Sequence, residues 1–300
     1  MKLKTVMFLV MLCALWATGH ADAGESNIDG VSPPKRQVIL KWLGVAGWEI
    51  RTGNTVVLID PFLSRKEAER DAEWKTDEEA VLRAVTGADY IFAGHSHADH
   101  IADIPFIAKR FGSKIIGSRT TTNLALTAGV DASQVVPVKG GEKLDFEDFS
   151  VQVIESQHGL LLRDGERRQP RSREILEPWS GPVKGRDFVE GKSYLYYFSF
   201  GQHRVLHQST GNFIEEKLSG LQPDVALLAP VAGYDLTAVL GRLKPKVIIL
   251  HHYDTWRAPL SGGISRANRK RAQQFESEVR WFDRQIKVII PEFFATYTLE

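Results

Sequence analysis

Cysteine and methionine are absent from almost the whole of this 300-residue chain. The single cysteine, Cys13, and all three methionines lie within the first 23 residues. If that segment is removed, the remaining chain has no thiol that could act as a nucleophile, form a disulfide or bind zinc. Any metal site must therefore be built from histidine and carboxylate side chains.

The first 23 residues have the pattern of an export signal. Lys2 and Lys4 form a basic start, residues 5–17 are mostly apolar, and Ala21-Asp22-Ala23 is a small-residue cleavage site. The apolar run is too short to span a bilayer with these flanks. We therefore expect cleavage after Ala23 and a periplasmic or secreted protein with no membrane anchor.

The chain also lacks a bias in charge. Removing Lys2, Lys4 and Asp22 with the signal from 38 basic and 37 acidic residues leaves 36 of each. A net charge of zero gives no general attraction to nucleic acid or to anionic membranes. We expect a small-molecule substrate and no nucleic-acid partner, whereas the sequence leaves the oligomeric state open.

The order of strand and helix patterns predicts the fold class. After a polar, flexible lead-in at 24–35, residues 36–300 run twice through hairpin strands followed by alternating strands and helices. The last helix is predicted at 264–285. Such alternation implies parallel strand pairing with helices covering the sheet. We predict an α/β domain of two mixed β-sheets that face each other with helices outside, and residues 161–192, which lack periodicity, are a candidate lid or insertion loop.

One stretch concentrates side chains that bind metals. His95, His97, Asp99 and His100 fall within six residues, directly after an apolar run at 88–93 that predicts a buried strand. Residues two apart on a helix do not face each other, so His95 and His97 can share an ion only from a loop at the end of the strand. Asp99 and His100 would lie just before the next helix and hold a second ion nearby.

This motif and the order of elements around it resemble the metallo-β-lactamase superfamily, whose signature is H-x-H-x-D-H after a strand. The resemblance extends from about Gln37 to the end of the chain. Gly44-Val-Ala-Gly47-Trp48 and Leu58-Ile59-Asp60-Pro61 are similar to the ascorbate-phosphate lactonase-like branch. The resemblance implies the metallo-β-lactamase fold, a four-layer αβ/βα sandwich.

The resemblance also implies a set of ligands. His95, His97 and His158 would hold one Zn²⁺ ion, and Asp99, His100 and His252 a second, although other divalent metals remain open. His251 is the alternative to His252, and the alternation of a continuing strand favours His252. Asp60 would be a buried acid close to the site.

The chain departs from the family at one ligand. Most hydrolases of the superfamily carry Gly-Asp-Thr in their fourth motif, and the Asp bridges both metals. Aligned on Thr210-Gly211, this chain has Ser209 at that position. We expect a weaker second site, with Ser209 hydrogen-bonded to a metal-bound water.

Three-coordinate zinc sites leave a position for water, whose pKa falls from 15.7 to about 7 when it is bound. The expected activity is hydrolysis of an ester, lactone, amide or phosphoester by metal-bound hydroxide, with Asp99 as the catalytic residue that orients the hydroxide and shuttles its proton. Tyr253, Arg168 and Arg171 are weaker candidates for substrate binding. Two alternatives stay open: a β-lactam hydrolase, and a metal-binding or sensory protein that has lost catalysis.

Overall fold

The computed structural model describes residues 37–163, 166–168, 172–209, 211–230 and 234–300, with the backbone alone at 161–163, 167 and 168. The predicted signal at 1–23 and lead-in at 24–35 lie outside the described residues and remain predictions. Strands and helices are numbered below in chain order.

The first sheet has seven strands and is mixed, as predicted. Hairpins join its first three strands, and parallel pairs follow from the third strand onward. The short connection Gly53-Asn54 closes the second hairpin, with Gly53 at φ 56°. In chain order the strands are β1 (Val38–Gly44), β2 (Gly47–Thr52), β3 (Thr55–Ile59), β4 (Tyr90–Phe92), β5 (Lys114–Gly117), β6 (Val135–Pro137) and, from the end of the chain, β16 (Thr296–Leu299).

The second sheet repeats this plan with seven further strands. Its first four pair antiparallel and its last four pair parallel, one strand being shared by both sets. Spatial and chain order agree, and the strands are β7 (Lys143–Asp145), β8 (Ser150–Ser156), β11 (Ser193–Phe200), β12 (His203–Gln208), β13 (Val225–Leu228), β14 (Val247–Leu250) and β15 (Lys287–Ile289). A separate hairpin is formed by β9 (Leu161–Arg163) and β10 (Glu166–Arg168).

Within the residues that the structure describes, six α-helices accompany the sheets. Asp77 caps the first helix as its side chain accepts from the Ala80 amide, and Ser118 and Ser265 cap two others in the same way. The helices are α1 (Glu78–Ala84), α2 (Ala98–Ile101), α3 (Ile104–Phe111), α4 (Arg119–Thr127), α5 (Leu236–Leu243) and α6 (Arg266–Phe282), and short 3-10 turns lie at Ala132–Gln134, Gly185–Asp187, Glu215–Leu218 and Leu260–Gly262.

The hydrophobic cores confirm the predicted layers. One large core includes the inner faces of both sheets, with Trp42 and Phe92 from the first sheet and Tyr196 and Val205 from the second. A separate core lies between the first sheet and its helices. Neighbouring residues of β4 divide between them, since Ile91 packs toward the helices and Phe92 between the sheets.

Three local predictions need correction. The predicted strand at 88–93 is shorter, Tyr90–Phe92, and the long helix predicted at 264–285 is Arg266–Phe282. The placement of Asp99 and His100 just before a helix is incomplete, because they precede α3 but also lie within the four-residue α2. None of the described helices is long and apolar enough to cross a membrane.

Candidate metal centre

The candidate site lies where several strands end. β3, β4 and β5 run parallel in the first sheet, and β12, β13 and β14 run parallel in the second. The carboxyl ends of parallel strands are the usual place for binding sites in α/β folds. The loops that follow β3, β4, β8, β12 and β14 bring together Asp60, the segment from His95 to His100, His158, Ser209 and His252.

The first group of predicted ligands converges on His97. Its Nδ1 atom is 3.0 Å from His95 Nε2 and 3.1 Å from His158 Nε2. The imidazole rings of His95 and His158 are 5.1 Å apart between centroids. Three nitrogen atoms from two separate loops therefore face one small volume that could hold a cation.

The second group lies beside the first. Asp99 Oδ2 is 3.4 Å from His100 Nε2 and 3.5 Å from His252 Nε2, and these two nitrogens are 3.3 Å apart. The ring centroids of His95 and His100 are only 3.9 Å apart, so the two groups adjoin. The structure thus places all six predicted ligands in two sets of three.

The outer nitrogen atoms of three of the histidines already contact protein atoms. His158 Nδ1 donates to the Gly159 carbonyl at 2.8 Å, and His100 Nδ1 donates to Asp60 Oδ2 at 2.9 Å. His95 Nδ1 is 3.2 Å from the hydroxyl of Ser209. When the outer nitrogen donates, the inner Nε2 carries the lone pair, which is the form that a metal requires. The donor set therefore fits a bound metal.

Ser209 has partners that differ from the predicted one. Its hydroxyl donates to Asp60 Oδ2 at 2.5 Å and lies against the outer nitrogens of His95 and His100, at 3.2 and 3.3 Å. It therefore lies behind the ligand rings, not in the space between the two groups. The predicted bond to a metal-bound water is not the contact that the structure shows.

Asp60 holds this part of the site together. Its Oδ1 accepts from the Gly94 amide at 2.7 Å, and its Oδ2 accepts from both His100 and Ser209. It is fully buried and has a left-handed backbone with φ 45°. The prediction of a buried acid near the site agrees with this placement.

Burial and neighbouring charges separate the histidines into two classes. Burial, with help from nearby histidines, lowers the pKa of His95 well below its usual value and that of His97 to about 4. Burial also lowers the pKa of His158. Burial opposes protonation of His100 too, but the carboxylates of Asp99 and Asp60 outweigh it and raise its pKa to about 10. The first group is thus neutral at pH 7, whereas His100 is protonated in the metal-free chain.

The structure separates His251 from His252, although for a different reason from the predicted one. β14 ends at Leu250, so strand alternation no longer applies, and His252 adopts a left-handed conformation with φ 51°. That turn directs His252 toward Asp99 and His100. His251 is fully buried, and its Nδ1 accepts from Trp48 Nε1 at 2.9 Å.

Tyr253 is not a substrate-binding residue, contrary to the prediction. It is fully buried, stacks on Trp42 with ring centroids 5.3 Å apart, and donates its hydroxyl to the Pro291 carbonyl. The pattern failed here because the residue after His252 turns into the core between the sheets. Arg171 and the side chain of Arg168 lie outside the described residues and stay predictions.

A cavity of about 450 Å³ opens over the two ligand groups. Five of the six predicted ligands line it, all except the fully buried His95. Its remaining wall includes Leu160, Phe188 and Trp256. A volume of this size suits a small molecule.

The described part of the candidate lid, 172–192, is tied down along its length. The Asn123 amide donates to the Ile175 carbonyl at 2.9 Å, and the Trp179 amide donates to Thr127 on α4. Farther along, the Trp74 amide donates to the Val183 carbonyl at 2.8 Å. These bonds hold the segment against α4 and the loop before α1, so this part forms a fixed wall of the cavity.

Sequence patterns missed the residues that support and surround the ligands. Arg65 forms a buried ion pair with Asp254 at 2.7 Å, two residues after His252. Phe188 and Trp256 reach the cavity from segments 68 positions apart. The nearness of Asp254 and Trp256 to His252 was a usable signal, whereas no local pattern marks Arg65 or Phe188.

Comparison with known proteins agrees with this geometry. A family model described as a beta-lactamase superfamily domain matches residues 39–252. A UPF0173 metal-dependent hydrolase of Listeria innocua serovar 6a is 32% identical over 219 residues, covering 69% of this chain and 82% of the relative. A UPF0173 metal-dependent hydrolase of Myxococcus xanthus is 26% identical and covers both chains fully.

A solved structure shares the fold. Igni18, described as a novel metallo hydrolase from the archaeon Ignicoccus hospitalis, superposes with a TM-score of 0.58 at 19% identity. The match covers 88% of this chain and 99% of that one. At this identity the likeness concerns the arrangement of strands and helices, which is the predicted metallo-β-lactamase fold.

Proposed function

The chain belongs to the beta-lactamase superfamily as a metal-dependent hydrolase, and on this premise we propose that it is an exported zinc enzyme that hydrolyses a small molecule. The bond cleaved is an ester, lactone, amide or phosphoester. The observation that carries the proposal is the orientation of the histidines, because their inner nitrogens converge in two groups while the outer nitrogens of His95, His100 and His158 contact protein atoms.

The two groups of residues would hold two ions. His95, His97 and His158 would bind the first, and Asp99, His100 and His252 the second. Neutral imidazole and carboxylate ligands suit zinc, although such a donor set also accepts other divalent metals. When bound, zinc supplies hydroxide near neutral pH and polarises the bond to be cleaved.

Asp99 is the residue of this protein that would accept the proton from the attacking water molecule. Burial disfavours its charge, but His100 and His252 outweigh burial and hold its pKa well below the usual range. It therefore remains a carboxylate at neutral pH and lies at the cavity. From this position it orients a water molecule and accepts the proton that the water loses.

The second ion should bind more weakly than the first. Its group has one carboxylate, Asp99, and Ser209 stands where most hydrolases of the superfamily carry an Asp that bridges the metals. In addition, His100 must release a proton before its Nε2 can bind an ion, because its pKa is raised to about 10. Both effects reduce affinity near neutral pH.

The two alternatives have less support. The β-lactam hydrolase is suggested by the serine at position 209, and the motifs at Gly44–Trp48 and Leu58–Pro61 argue against it. A non-catalytic metal-binding protein is disfavoured because relatives over most of the chain are named metal-dependent hydrolases. Export is proposed from the signal pattern of the first 23 residues, and a small molecule is favoured over nucleic acid by the balanced charge.

The first experiment is to measure metal content per chain on residues 24–300, with His252→Ala and His251→Ala beside the unmodified protein. We expect about two zinc ions, one of which is lost in His252→Ala and retained in His251→Ala. The loaded protein is then assayed on an ester, lactone, amide, phosphodiester and β-lactam panel. Loss of metal in His251→Ala alone, or full loading without turnover, would refute the proposal.

A further inference from the structure

Two aromatic side chains form one side of the cavity over the candidate metal centre. Trp256 follows the His252 loop, and Phe188 comes from the anchored segment 172–192. Neither residue belongs to a motif that the sequence singles out. We call these two rings the aromatic wall.

The aromatic wall is supported by two further rings behind it. Phe62, which is fully buried, packs against Trp256 with centroids 6.3 Å apart and against Trp74 at 6.1 Å. Trp74 in turn meets the edge of Phe188 at 5.8 Å. Contacts of this geometry are favourable beyond the area that they bury. The half-buried Trp256 thus rests on the buried Phe62, and Phe188 rests on Trp74, which itself packs on Phe62, so the wall is a supported apolar surface.

The aromatic wall and the two rings behind it belong to one apolar cluster, which also includes residues next to the predicted ligands. Phe62 follows Asp60 by two residues, and Ala98 and Ala102 flank Asp99 and His100 on and after α2. Ala98 also lines the cavity. An apolar group resting on the aromatic wall would thus lie beside the atoms that would hold the metals.

Small residues leave space in front of this wall. Ala68, Gly159 and Gly185 line the cavity together with Ala98. Gly185 packs so closely on backbone that a Cβ atom would lie 2.3 Å from the Glu69 carbonyl oxygen. Glycine is therefore required at this contact, and the small lining residues leave room for a flat group.

The cavity offers no unpaired charge among its described residues outside the predicted ligands. Glu67 and Arg257 are its charged members there, and they pair with each other at 3.1 Å. Both are more than half exposed, and the Arg257 guanidinium lies 4.4 Å from the centre of the Trp256 ring. They form a neutral pair at the rim and not an anion site beside the reacting bond.

We propose that the cavity selects substrates in which a flat apolar group, such as an aryl ring, is attached next to the hydrolysed bond and rests on Trp256 and Phe188. This inference rests on the proposed function for the reaction, but the binding of the apolar group can be tested without turnover. Burying such a group on a preformed apolar surface is favourable in proportion to its area.

The test uses three ethyl esters that differ in the acyl group alone: acetate, phenylacetate and hydrogen succinate. With the zinc-loaded protein we expect kcat/KM for the phenylacetate to exceed that for the acetate by roughly 10- to 100-fold, which is the range for filling an apolar pocket. The hydrogen succinate has no apolar ring to rest on the wall and should fall below the phenylacetate. Equal rates, or a preference for the succinate, would overturn the inference and leave the proposed hydrolysis standing.

Variants locate the preference. Trp256→Ala and Phe188→Ala should each reduce the ratio of phenylacetate to acetate by about fivefold or more. Trp281→Ala removes a tryptophan of α6 that is 83% exposed and does not line the cavity, so it should keep the ratio of the unmodified protein. An unchanged ratio in both wall variants would overturn the assignment of the wall.

Binding to metal-free protein separates this inference from the proposed function. Without metal the esters are not expected to turn over, so saturation-transfer NMR can report their binding directly. We expect a signal for the phenyl ring of the phenylacetate that weakens in Trp256→Ala and Phe188→Ala. If the phenyl ring binds in this way but the zinc-loaded protein hydrolyses none of the esters, the apolar subsite stands and the proposed hydrolysis is refuted. If the phenyl ring does not bind, the apolar subsite is refuted.

Discussion

The His252 amide donates to the Val45 carbonyl oxygen at 2.7 Å, and both residues have left-handed backbones, with φ of 51° and 49°. A β-branched residue in this region is strained by about 1–3 kcal/mol. The surrounding contacts must therefore stabilise this strained conformation. We infer that the motif from Gly44 to Trp48 stabilises the loop that carries His252.

Asp254→Asn tests how that loop is held. Asp254 accepts from the Val45 amide at 3.1 and 3.2 Å and pairs with Arg65 at 2.7 Å, and both charged side chains are almost fully buried. Removing one charge leaves Arg65 buried without its partner, so the free energy of unfolding should fall by about 3–5 kcal/mol in urea titrations. Metal content at the second site should fall with it.

Asp71→Asn is the matched control for that change. Asp71 pairs with Arg186 at 2.6 Å, but both side chains are exposed. An exposed pair contributes little, so unfolding free energy should change by less than about 1 kcal/mol. Equal losses in the two variants would show that burial of the Arg65 pair is not what stabilises the loop.

Asp60→Asn should weaken metal binding more than it weakens the fold. The carboxylate of Asp60 accepts the Nδ1 proton of His100, so the proton that His100 releases when a metal binds comes from Nε2. An amide nitrogen in that place would favour the opposite tautomer. We expect a loss of roughly 10- to 100-fold in metal affinity, measured by competition with a chelating dye.

Asp103→Asn is a comparable change outside the ligand groups. Asp103 is also a fully buried carboxylate that accepts backbone hydrogen bonds, from the amides of Leu63 and Ser64 at 2.7 and 2.8 Å. It should affect stability and leave metal affinity within a few-fold of the unmodified value. Similar losses of affinity in both variants would argue against tautomer control by Asp60.

Gly94→Ala should disturb the site through steric overlap. A Cβ atom at Gly94 would lie 2.0 Å from Ser209 Cβ and 2.2 Å from its hydroxyl oxygen. Ser209 would have to leave Asp60, and we expect a loss of about 1–3 kcal/mol or more in unfolding free energy. Gly87→Ala, where a Cβ would meet nothing within 4 Å, should be neutral or slightly stabilising. Denaturation midpoints of the two variants, compared with that of the unmodified protein, test this expected difference.

Metal binding at the second group should release a proton. The pKa of His100 is raised to about 10 in the metal-free chain, whereas that of His97 is lowered to about 4. Between pH 6 and 8, the affinity of the second site should therefore rise with pH by about tenfold per unit, and that of the first should stay nearly constant. Calorimetry in buffers of different ionisation enthalpy counts the protons, and two pH-independent binding events would contradict this assignment.

The same shift affects the stability of the metal-free protein. A histidine whose pKa is higher in the folded state stabilises that state fully below its unfolded pKa of about 6.5, and this contribution is lost as pH rises toward 10. Metal-free protein should thus lose stability over this window. In His100→Gln the decrease in stability with rising pH should be smaller, and thermal unfolding at several pH values measures it.

The sequence by itself determined most of the elements and the candidate ligands. Apolar alternation and turn residues predict most strands to within one or two positions, because these signals are local. The spacing of His95, His97, Asp99 and His100 indicates a metal site for the same reason, since three histidines and a carboxylate within six residues carry their own chemistry.

Only the tertiary structure decided how those residues are supported. Ser209 bonds to Asp60 behind the rings, Tyr253 enters the core, and β16 returns to pair with β1 from the far end of the chain. Phe188 meets the cavity only because the segment before it is tied to α4. Each of these facts depends on contacts between distant segments, and no local pattern of side chains specifies such contacts before the sheets and helices have packed.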